Sequence, residues 1–201
     1  MAIGPEEFSA RVTAAAGVDG RLPVPDLSMA EWDIFPFEPE GIRVKPLRPA
    51  TLPERDRHGE DPATCSACSA PAPAVWVHER WRLRAIEAGV PLAMMLQPVA
   101  HHDLADLPDD LAAELGVLMV HIARHVEALP HIARCHVYRI GDGGAHLHPF
   151  FFARPEGFEQ LLGSFLVVWD DLLPRTPSAE RDADARTVAE ALVASFGGAV
   201  A

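Results

Sequence analysis

Residues 141–152 constrain the fold of this chain more than any other segment. Glycines at 141, 143 and 144 surround an aspartate, and they are followed by two histidines two positions apart and then by three consecutive phenylalanines. Glycine punctuates secondary structure and phenylalanine favours sheets, so the sequence predicts a turn and then a strand from His146 to Ala153. Successive strand side chains alternate between faces, and we therefore expect His146 and His148 to point the same way.

Short apolar runs on either side of one amphipathic stretch predict an α+β fold. The predicted elements are strands at 75–77, 81–85, 91–97, 133–140 and 146–153, a further short element at 165–169, and helices at 108–129 and 179–196. In the first helix, apolar residues recur at helical spacing from Leu111 to Leu129, and Pro130 ends it. This order predicts an antiparallel sheet with a helix packed on one face.

The distribution of prolines divides the chain into three parts. Residues 1–62 are rich in proline and are expected to form an extended arm, in which Trp32, Ile34, Phe35 and Phe37 make an apolar cluster. That cluster predicts packing against the main domain or a partner subunit. Residues 63–175 are expected to form the compact domain, and residues 176–201 a C-terminal helix.

The charge and the N-terminus restrict the class of partner. Lys and Arg number 17 against 29 Asp and Glu, giving a net charge of −12 that repels nucleic-acid phosphates. We expect no nucleic-acid partner, whereas a small nucleotide in a local pocket is compatible with this charge. The N-terminus lacks a signal-peptide pattern, and no apolar run approaches the roughly 20 residues that span a bilayer. The expectation is a soluble, cytoplasmic protein without a membrane partner.

Cys65 and Cys68 are separated by two residues, the spacing that lets two sulfurs reach one zinc ion from a tight turn. Further ligands must come from elsewhere, and the candidates are His101 or His102 after the third predicted strand and His146. A redox pair is the main competing interpretation. The cysteines lie in a loop rich in Pro, Ala and Ser rather than at a strand-to-helix junction, which favours zinc.

Three parts of the sequence together resemble the histidine triad (HIT) superfamily of nucleotide hydrolases and transferases: the run 91–107, the helix after it, and the strand-turn-strand ending in His146-Leu147-His148. The resemblance covers about residues 64–155. It implies an α+β fold with a five-stranded antiparallel sheet, usually assembled as a homodimer. It also implies a structural zinc ion bound by Cys65, Cys68, His101 and His146, with His102 as the alternative to His101 because the register is off by one.

The same resemblance implies the catalytic residue, because the central histidine of the HIT motif attacks an α-phosphate and forms a nucleotidyl-imidazole. By position this nucleophile is His148, and a neutral imidazole is chemically competent for the role. Backbone N–H groups of Gly143 and Gly144 are candidates for holding the phosphate. Arg139 and Arg154 are further candidates, since guanidinium groups bind phosphate well, although salt bridges to Asp142 or Glu156 are the alternative for them.

The sequence departs from the HIT motif at its third histidine, which is Phe150 here, preceded by Pro149. Phenylalanine can neither bind phosphate nor protonate a leaving group. Two functions remain open: a nucleotide hydrolase or nucleotidyltransferase acting on a phosphate or phosphoramidate bond, and a catalytically inactive, zinc-stabilised nucleotide-binding or scaffold protein. A third hypothesis is metal-dependent chemistry at His146, His148 and an upstream histidine. The expected ligand is a nucleotide or another small molecule that contains phosphate.

Overall fold

The computed structural model describes residues 10, 13–21 and 52–201. The chain divides into two compact units, Met1–Arg55 and Asp56–Ala201. In the first unit, residues 13–15 are helical and mostly exposed. The predicted aromatic cluster of the arm, at 32–37, lies outside the described residues. The second unit carries all the elements that position the candidate site.

The second unit is built on an antiparallel sheet. Its strands are β1 Trp76–Val77, β2 Trp81–Ile86, β3 Ala93–Pro98, β4 Ile132–Tyr138, β5 Phe150–Pro155 and β6 Ala199–Val200. Their order across the sheet is β4-β5-β3-β2-β1-β6, and every pairing is antiparallel. The predicted α+β class is confirmed, but the sheet has six strands rather than five. The additional strand, β6, pairs with β1 and has only two residues, too few to give a periodic signal.

Four α-helices accompany the sheet in the described part of the second unit. They are α1 Ser66–Ser69, α2 Asp109–Glu127, α3 Gly163–Leu172 and α4 Ser178–Phe196, and short 3-10 turns lie at Pro62–Thr64 and Leu104–Asp106. Helices α2 and α4 match the two predicted long helices closely. The short element predicted at 165–169 is the helix α3. None of these described helices combines the length and the apolar character needed to cross a bilayer.

The main core lies between the sheet and the two long helices. Helix α2 contributes the apolar side chains predicted from its spacing, and α4 adds Ala185, Val188, Ala189 and Leu192. These side chains pack on strand residues that include Trp81 and Phe151, both fully buried. Burial of large apolar side chains on this face is the main source of stability, at roughly 1.5–3 kcal/mol for each.

The opposite face of the sheet carries a smaller apolar cluster under α3. Leu166 of α3 packs there with residues that include Ala93 and Phe152. The buried carboxylate of Asp170 fixes the helix, because it accepts hydrogen bonds of 2.8 Å from the backbone N–H groups of both Gly89 and Val90. The sheet therefore has helices on both faces, and α3 covers only part of the second face.

The predicted strand start at His146 is wrong, because β5 begins at Phe150. Pro149 lacks an N–H group and cannot donate to a strand ladder. The residues before it bond to other loops: Ala145 N–H donates to His58 O at 3.0 Å, and Leu147 N–H to His102 O at 2.7 Å. His146 and His148 consequently lie in an irregular segment rather than on a strand.

Candidate metal centre and histidine site

Four side chains predicted as metal ligands come together at one end of the sheet. One donor atom each from Cys65, Cys68, His101 and His146 lies within 4.8 Å of all the others. Both sulfurs are 3.5 Å from His146 Nδ1, and Cys68 Sγ is also 3.5 Å from His101 Nδ1. Ligands bound at about 2.1–2.3 Å to a tetrahedral zinc ion lie about 3.5 Å apart. Two thiolates and two imidazoles at this spacing make a zinc site.

The cysteine pair is positioned by the short helix α1. Cys65 precedes the helix, and its carbonyl accepts the N–H groups of Cys68 and Ser69 at 3.2 and 3.0 Å. This single turn brings the second sulfur back beside the first. Cys65 is buried and Cys68 is exposed, so one edge of the cluster faces solvent.

The orientation of His146 is set by its other ring nitrogen. Nε2 lies 3.0 Å from the carbonyl oxygen of Pro98, which can only accept, so Nε2 carries the proton and Nδ1 presents a lone pair to the sulfurs. Burial lowers the pKa of His146, while the hydrogen bond to Pro98 acts in the opposite direction. The ring is therefore neutral at pH 7, as a metal ligand requires.

The structure also shows which of the two adjacent histidines after β3, His101 or His102, is the candidate metal ligand. The His101 ring lies against the His146 ring, with centroids 5.2 Å apart, and its Nδ1 faces Cys68. His102 contributes its backbone carbonyl, which accepts from Leu147. His101 is thus in the cluster, and His102 holds the segment that carries His146.

His148 engages different partners from His146. Its Nδ1 lies 2.5 Å from the carbonyl oxygen of His146, and its half-buried ring packs edge-on against Phe150 with centroids 5.4 Å apart. Because a carbonyl oxygen only accepts, Nδ1 carries the proton and Nε2 keeps its lone pair. The two histidines were expected to point the same way, but His146 faces the thiols whereas His148 contacts Phe150 and the carbonyl of His146.

The glycine turn lies between His148 and the segment around His58. His58 forms a parallel bridge with Gly144, and its N–H donates to Gly143 O at 3.2 Å. A Cβ atom added to Gly144 would lie 3.6 Å from Cε1 of His148, so the turn passes directly beside that ring. The His58 side chain, through Nε2, contacts Ser66 Oγ at 2.9 Å. His58 therefore joins the glycine turn to helix α1, which carries Cys68.

Asp103 is a residue of the site that sequence reasoning missed. Its carboxylate accepts from the guanidinium groups of both Arg57 and Arg139, and Arg57 also donates to Gly141 O at 3.1 Å. Partial burial would raise the pKa of Asp103, but the hydrogen bonds from Arg57, from the Leu104 N–H and from Arg139 lower it to about 2. The two arginines lie 46 and 36 positions away in sequence, so no local pattern marks them.

The structure places Arg139 beside the glycine turn and Arg154 elsewhere. Arg139 pairs with Asp103 rather than with Asp142. Arg154 is buried near the end of β5, where it donates to Phe158 O at 3.2 Å. This position is four residues past Phe150, about 13 Å along a strand, so Arg154 is not brought to His148.

A separate open cavity of about 770 Å³ adjoins the Phe158 segment and is lined mainly by apolar residues, including Leu161, Trp169 and Leu173. Its polar lining includes His131 and Asp184, whose side chains are 2.8 Å apart. The cavity includes none of the zinc-cluster residues and does not include His148.

No family model matches the sequence, and no curated protein does. Among solved structures, the chain is similar to a zinc-bound histidine triad family protein from Mycobacterium smegmatis, with 21% identity, a TM-score of 0.48, and coverage of 66% of this chain and 93% of that chain. It is also similar to a Hit-like protein involved in cell-cycle regulation from Bartonella henselae, with 15% identity, a TM-score of 0.49, and coverage of 69% and 100%.

A third similar structure is a hypothetical histidine triad nucleotide-binding protein from Sulfolobus tokodaii, with 16% identity, a TM-score of 0.46, and coverage of 66% of this chain and 94% of that chain. The likenesses concern the fold. The identities are below 25% and the TM-scores below 0.5, so these likenesses carry no argument about the function of this chain.

The zinc cluster predicts the effect of removing one cysteine. We expect the purified protein to contain about one zinc ion per chain and Cys65→Ser to contain almost none, because three ligands hold structural zinc far less tightly than four. Metal analysis after dialysis measures the content, and thermal unfolding should show a lower midpoint for the variant. Cys135→Ser is the matched control, since Cys135 lies outside the cluster. Retention of zinc by Cys65→Ser would contradict the assignment.

The lowered pKa of Asp103 predicts a pH-dependent contribution to stability. The pKa of Asp103 is 3.8 in the unfolded chain and about 2 in the folded chain. The contribution of Asp103 to the free energy of unfolding is therefore present above pH 4 and is lost as the pH falls towards 2. We expect Asp103→Asn to lower the free energy of unfolding by on the order of 1–2 kcal/mol at pH 6, and by progressively less between pH 4 and pH 2.

Urea unfolding of both proteins across this pH range measures the difference. The zinc site is common to the two proteins, so its own pH dependence cancels. A difference that stays constant with pH, or that grows in acid, would contradict the role given to the Asp103 carboxylate.

Proposed function

We propose that this protein is a HIT-like nucleotide hydrolase or nucleotidyltransferase in which His148 attacks a phosphorus atom. The observation that carries the proposal is the hydrogen bond from His148 Nδ1 to the His146 carbonyl. It fixes the tautomer so that Nε2 holds the lone pair, and the adjacent glycine turn passes beside that ring. A nucleophile next to backbone N–H groups is the arrangement that phosphoryl transfer requires.

The proposed reaction has two displacements. The His148 Nε2 lone pair forms a bond to the α-phosphorus while the bond to the leaving group breaks, and water or an acceptor alcohol then displaces the histidine and loses a proton. The N–H groups of Gly143 and Gly144 hold the non-bridging oxygens. Arg139 contributes too, because one carboxylate occupies only part of its five-donor guanidinium.

The zinc ion in this proposal is structural, and it supplies a rigid cross-link rather than an activated water. The four protein donors of the cluster would satisfy the tetrahedral coordination that structural zinc prefers, so a bound zinc ion would act as a cross-link. His148 is not one of the four. This favours the histidine nucleophile over the metal-dependent chemistry considered from the sequence.

A second function is favoured by the position of Phe150. Its ring lies edge-on to His148, where the HIT motif has a third histidine, and it offers no proton to a leaving group. A protein that binds a nucleotide at the glycine turn and releases it unchanged is consistent with this contact. The homodimer implied by the family resemblance and the cytoplasmic location both stay predictions, and a molar-mass measurement in solution tests the first.

The nucleophile assignment predicts the behaviour of His148→Ala. With nucleoside phosphoramidates, dinucleoside polyphosphates and sugar nucleotides as the substrate panel, we expect kcat to fall by at least about 100-fold for any substrate that the wild type converts. Rapid quenching of the wild type should trap a nucleotidyl group on His148, detectable by mass spectrometry. His121→Ala is the control, because His121 lies on α2 and contacts Ser195.

Chemical rescue separates a nucleophile from a residue needed only for folding. Free imidazole should restore part of the activity of His148→Gly but none of the activity lost in Cys65→Ser. Tight binding of a nucleotide with no turnover and no trapped intermediate would instead establish the binding-protein alternative.

The Phe150 position predicts a dependence on the leaving group. We expect Phe150→His to raise kcat about 10- to 100-fold for substrates with amine or sugar leaving groups, because a general acid contributes on this scale. For substrates whose leaving group is p-nitrophenol, kcat should change little, because that leaving group needs no proton. Comparing the two substrate types in wild type and variant measures the effect. An equal change for both types would mean that Phe150 limits access to the site rather than proton transfer.

A further inference from the structure

The open cavity of about 770 Å³ lies at the end of the sheet opposite the candidate metal centre. Pro155, at the end of β5, lines the cavity, whereas Phe150, at the start of the same strand, contacts His148. The two ends of this strand are about 17 Å apart. The cavity is therefore a different site from the one to which a phosphate ligand is assigned above.

Apolar side chains from α3 and from the segments on either side of it form most of the cavity wall. Leu161 is buried, and Trp169 and Leu173 are half-buried. Phe158 also lines the cavity, and it is 60% exposed. A ligand that covers this ring would remove apolar surface from water. Cavities of roughly 300–1,000 Å³ with mainly apolar walls are typical of small-molecule sites, so the wall predicts a ligand with an apolar body.

The ionised side chains of the cavity are acidic. Glu180 and Asp184 both line it, and they lie one helical turn apart on α4, so their carboxylates face the cavity together. In the part of the chain that the structure describes, no lysine or arginine lines the cavity. Like charges at this helical spacing repel each other, and a cation held between the two carboxylates would relieve that repulsion.

Both carboxylates have acceptor capacity left for such a cation. Asp184 Oδ2 accepts from His131 Nε2 at 2.8 Å, and Asp184 Oδ1 has no hydrogen-bond partner among the described residues. Within the same residues, the Glu180 carboxylate makes neither a hydrogen bond nor an ion pair. An ionised carboxylate offers about four lone-pair sites, so the contact with His131 uses only part of what Asp184 provides.

The arginines nearest in sequence do not supply the missing positive charge. Arg181 pairs with Asp182 at 2.7 Å, and Arg175 pairs with Asp170 at 3.3 Å. Neither arginine lines the cavity. The charge that complements the two cavity carboxylates is thus left for a ligand to provide.

We propose that this cavity binds a small organic cation, namely a protonated amine attached to an aromatic or branched apolar body. The ammonium group lies beside Asp184 and Glu180, and the apolar body packs on the wall formed by Leu161 and Trp169. Alkylammonium groups resemble the lysine side chain and are protonated at neutral pH. Aromatic rings in the wall add attraction for a cation through their negative faces. The inference does not depend on the activity of His148.

Isothermal titration calorimetry at neutral pH tests the ligand class with two amines, tryptamine and 4-phenylbutylamine, and with their neutral counterparts, tryptophol and 4-phenylbutanol. We expect at least one amine to bind at least about tenfold more tightly than its alcohol, because only the amine pairs with the carboxylates. Asp184→Asn should remove most of that preference and leave alcohol binding nearly unchanged. Asp182→Asn is the matched control, because it removes the same charge from the same helix and Asp182 does not line this cavity.

A second variant tests the location of the ligand without changing the charge. Ala183 is exposed on α4 and lines the cavity, so Ala183→Phe should fill part of it and weaken binding of amine and alcohol by at least about tenfold. Ala194→Phe is the control, because Ala194 is exposed on the same helix and does not line the cavity. Circular dichroism and zinc content establish that each variant is folded.

The proposal is overturned if neither amine binds with a dissociation constant below about 1 mM, if amines and alcohols bind equally, or if Asp182→Asn acts like Asp184→Asn. Tighter binding of indole-3-acetate than of tryptamine would overturn the cationic class. Equally tight binding of spermidine would overturn the need for an apolar body, and unchanged binding by Ala183→Phe would overturn the location. His148→Ala should bind the amines as wild type does, so the outcome is independent of the proposed catalysis.

Discussion

The metal cluster is the constraint on which the rest of the site depends. Its four ligands come from three separate segments: helix α1 supplies the cysteines, the loop after β3 supplies His101, and the irregular segment before β5 supplies His146. None of these segments is held by a long helix or strand at that point. Fixing His146 also fixes its carbonyl oxygen, which orients His148. The contacts that join these loops therefore also orient the imidazole of His148, two residues after His146. Hydrogen bonds around metal sites commonly orient functional groups in this way.

Asp103 is the second residue that joins separate segments of the site, and it does so through ion pairs. Its carboxylate holds Arg57 and Arg139 in place, and Arg57 also pairs with Glu60, so the two arginines are balanced by two carboxylates. On the neighbouring strand β2, Arg82 lies close to the thiol of Cys68 and donates to the carbonyls of Ala67 and Val99. These contacts of Asp103 and Arg82 hold together the loops that surround the candidate site.

The sequence predicted the parts of the molecule that depend on local patterns. Apolar spacing from Leu111 to Leu129 predicted α2, and the spacing of Cys65 and Cys68 predicted their shared metal site. The strand start was wrong because the contacts of Ala145 and Leu147 are to distant loops, and Pro149 delays β5. The pairs of Asp103 with Arg57 and Arg139 depend on tertiary contacts, so no local pattern contained them.

The bridge between His58 and Gly144 has a consequence for the order in which the molecule folds. It joins residues 86 positions apart by their numbers, and the cluster contacts of His146 join residues 81 and 78 positions apart. The β2–β3 hairpin and the α2–β4–β5 unit need only short loops to close. Because closing a long loop costs more chain entropy than closing a short one, the β2–β3 hairpin and the α2–β4–β5 unit are expected to form before this bridge. The end of the sheet that carries the candidate site is then expected to assemble after these two units.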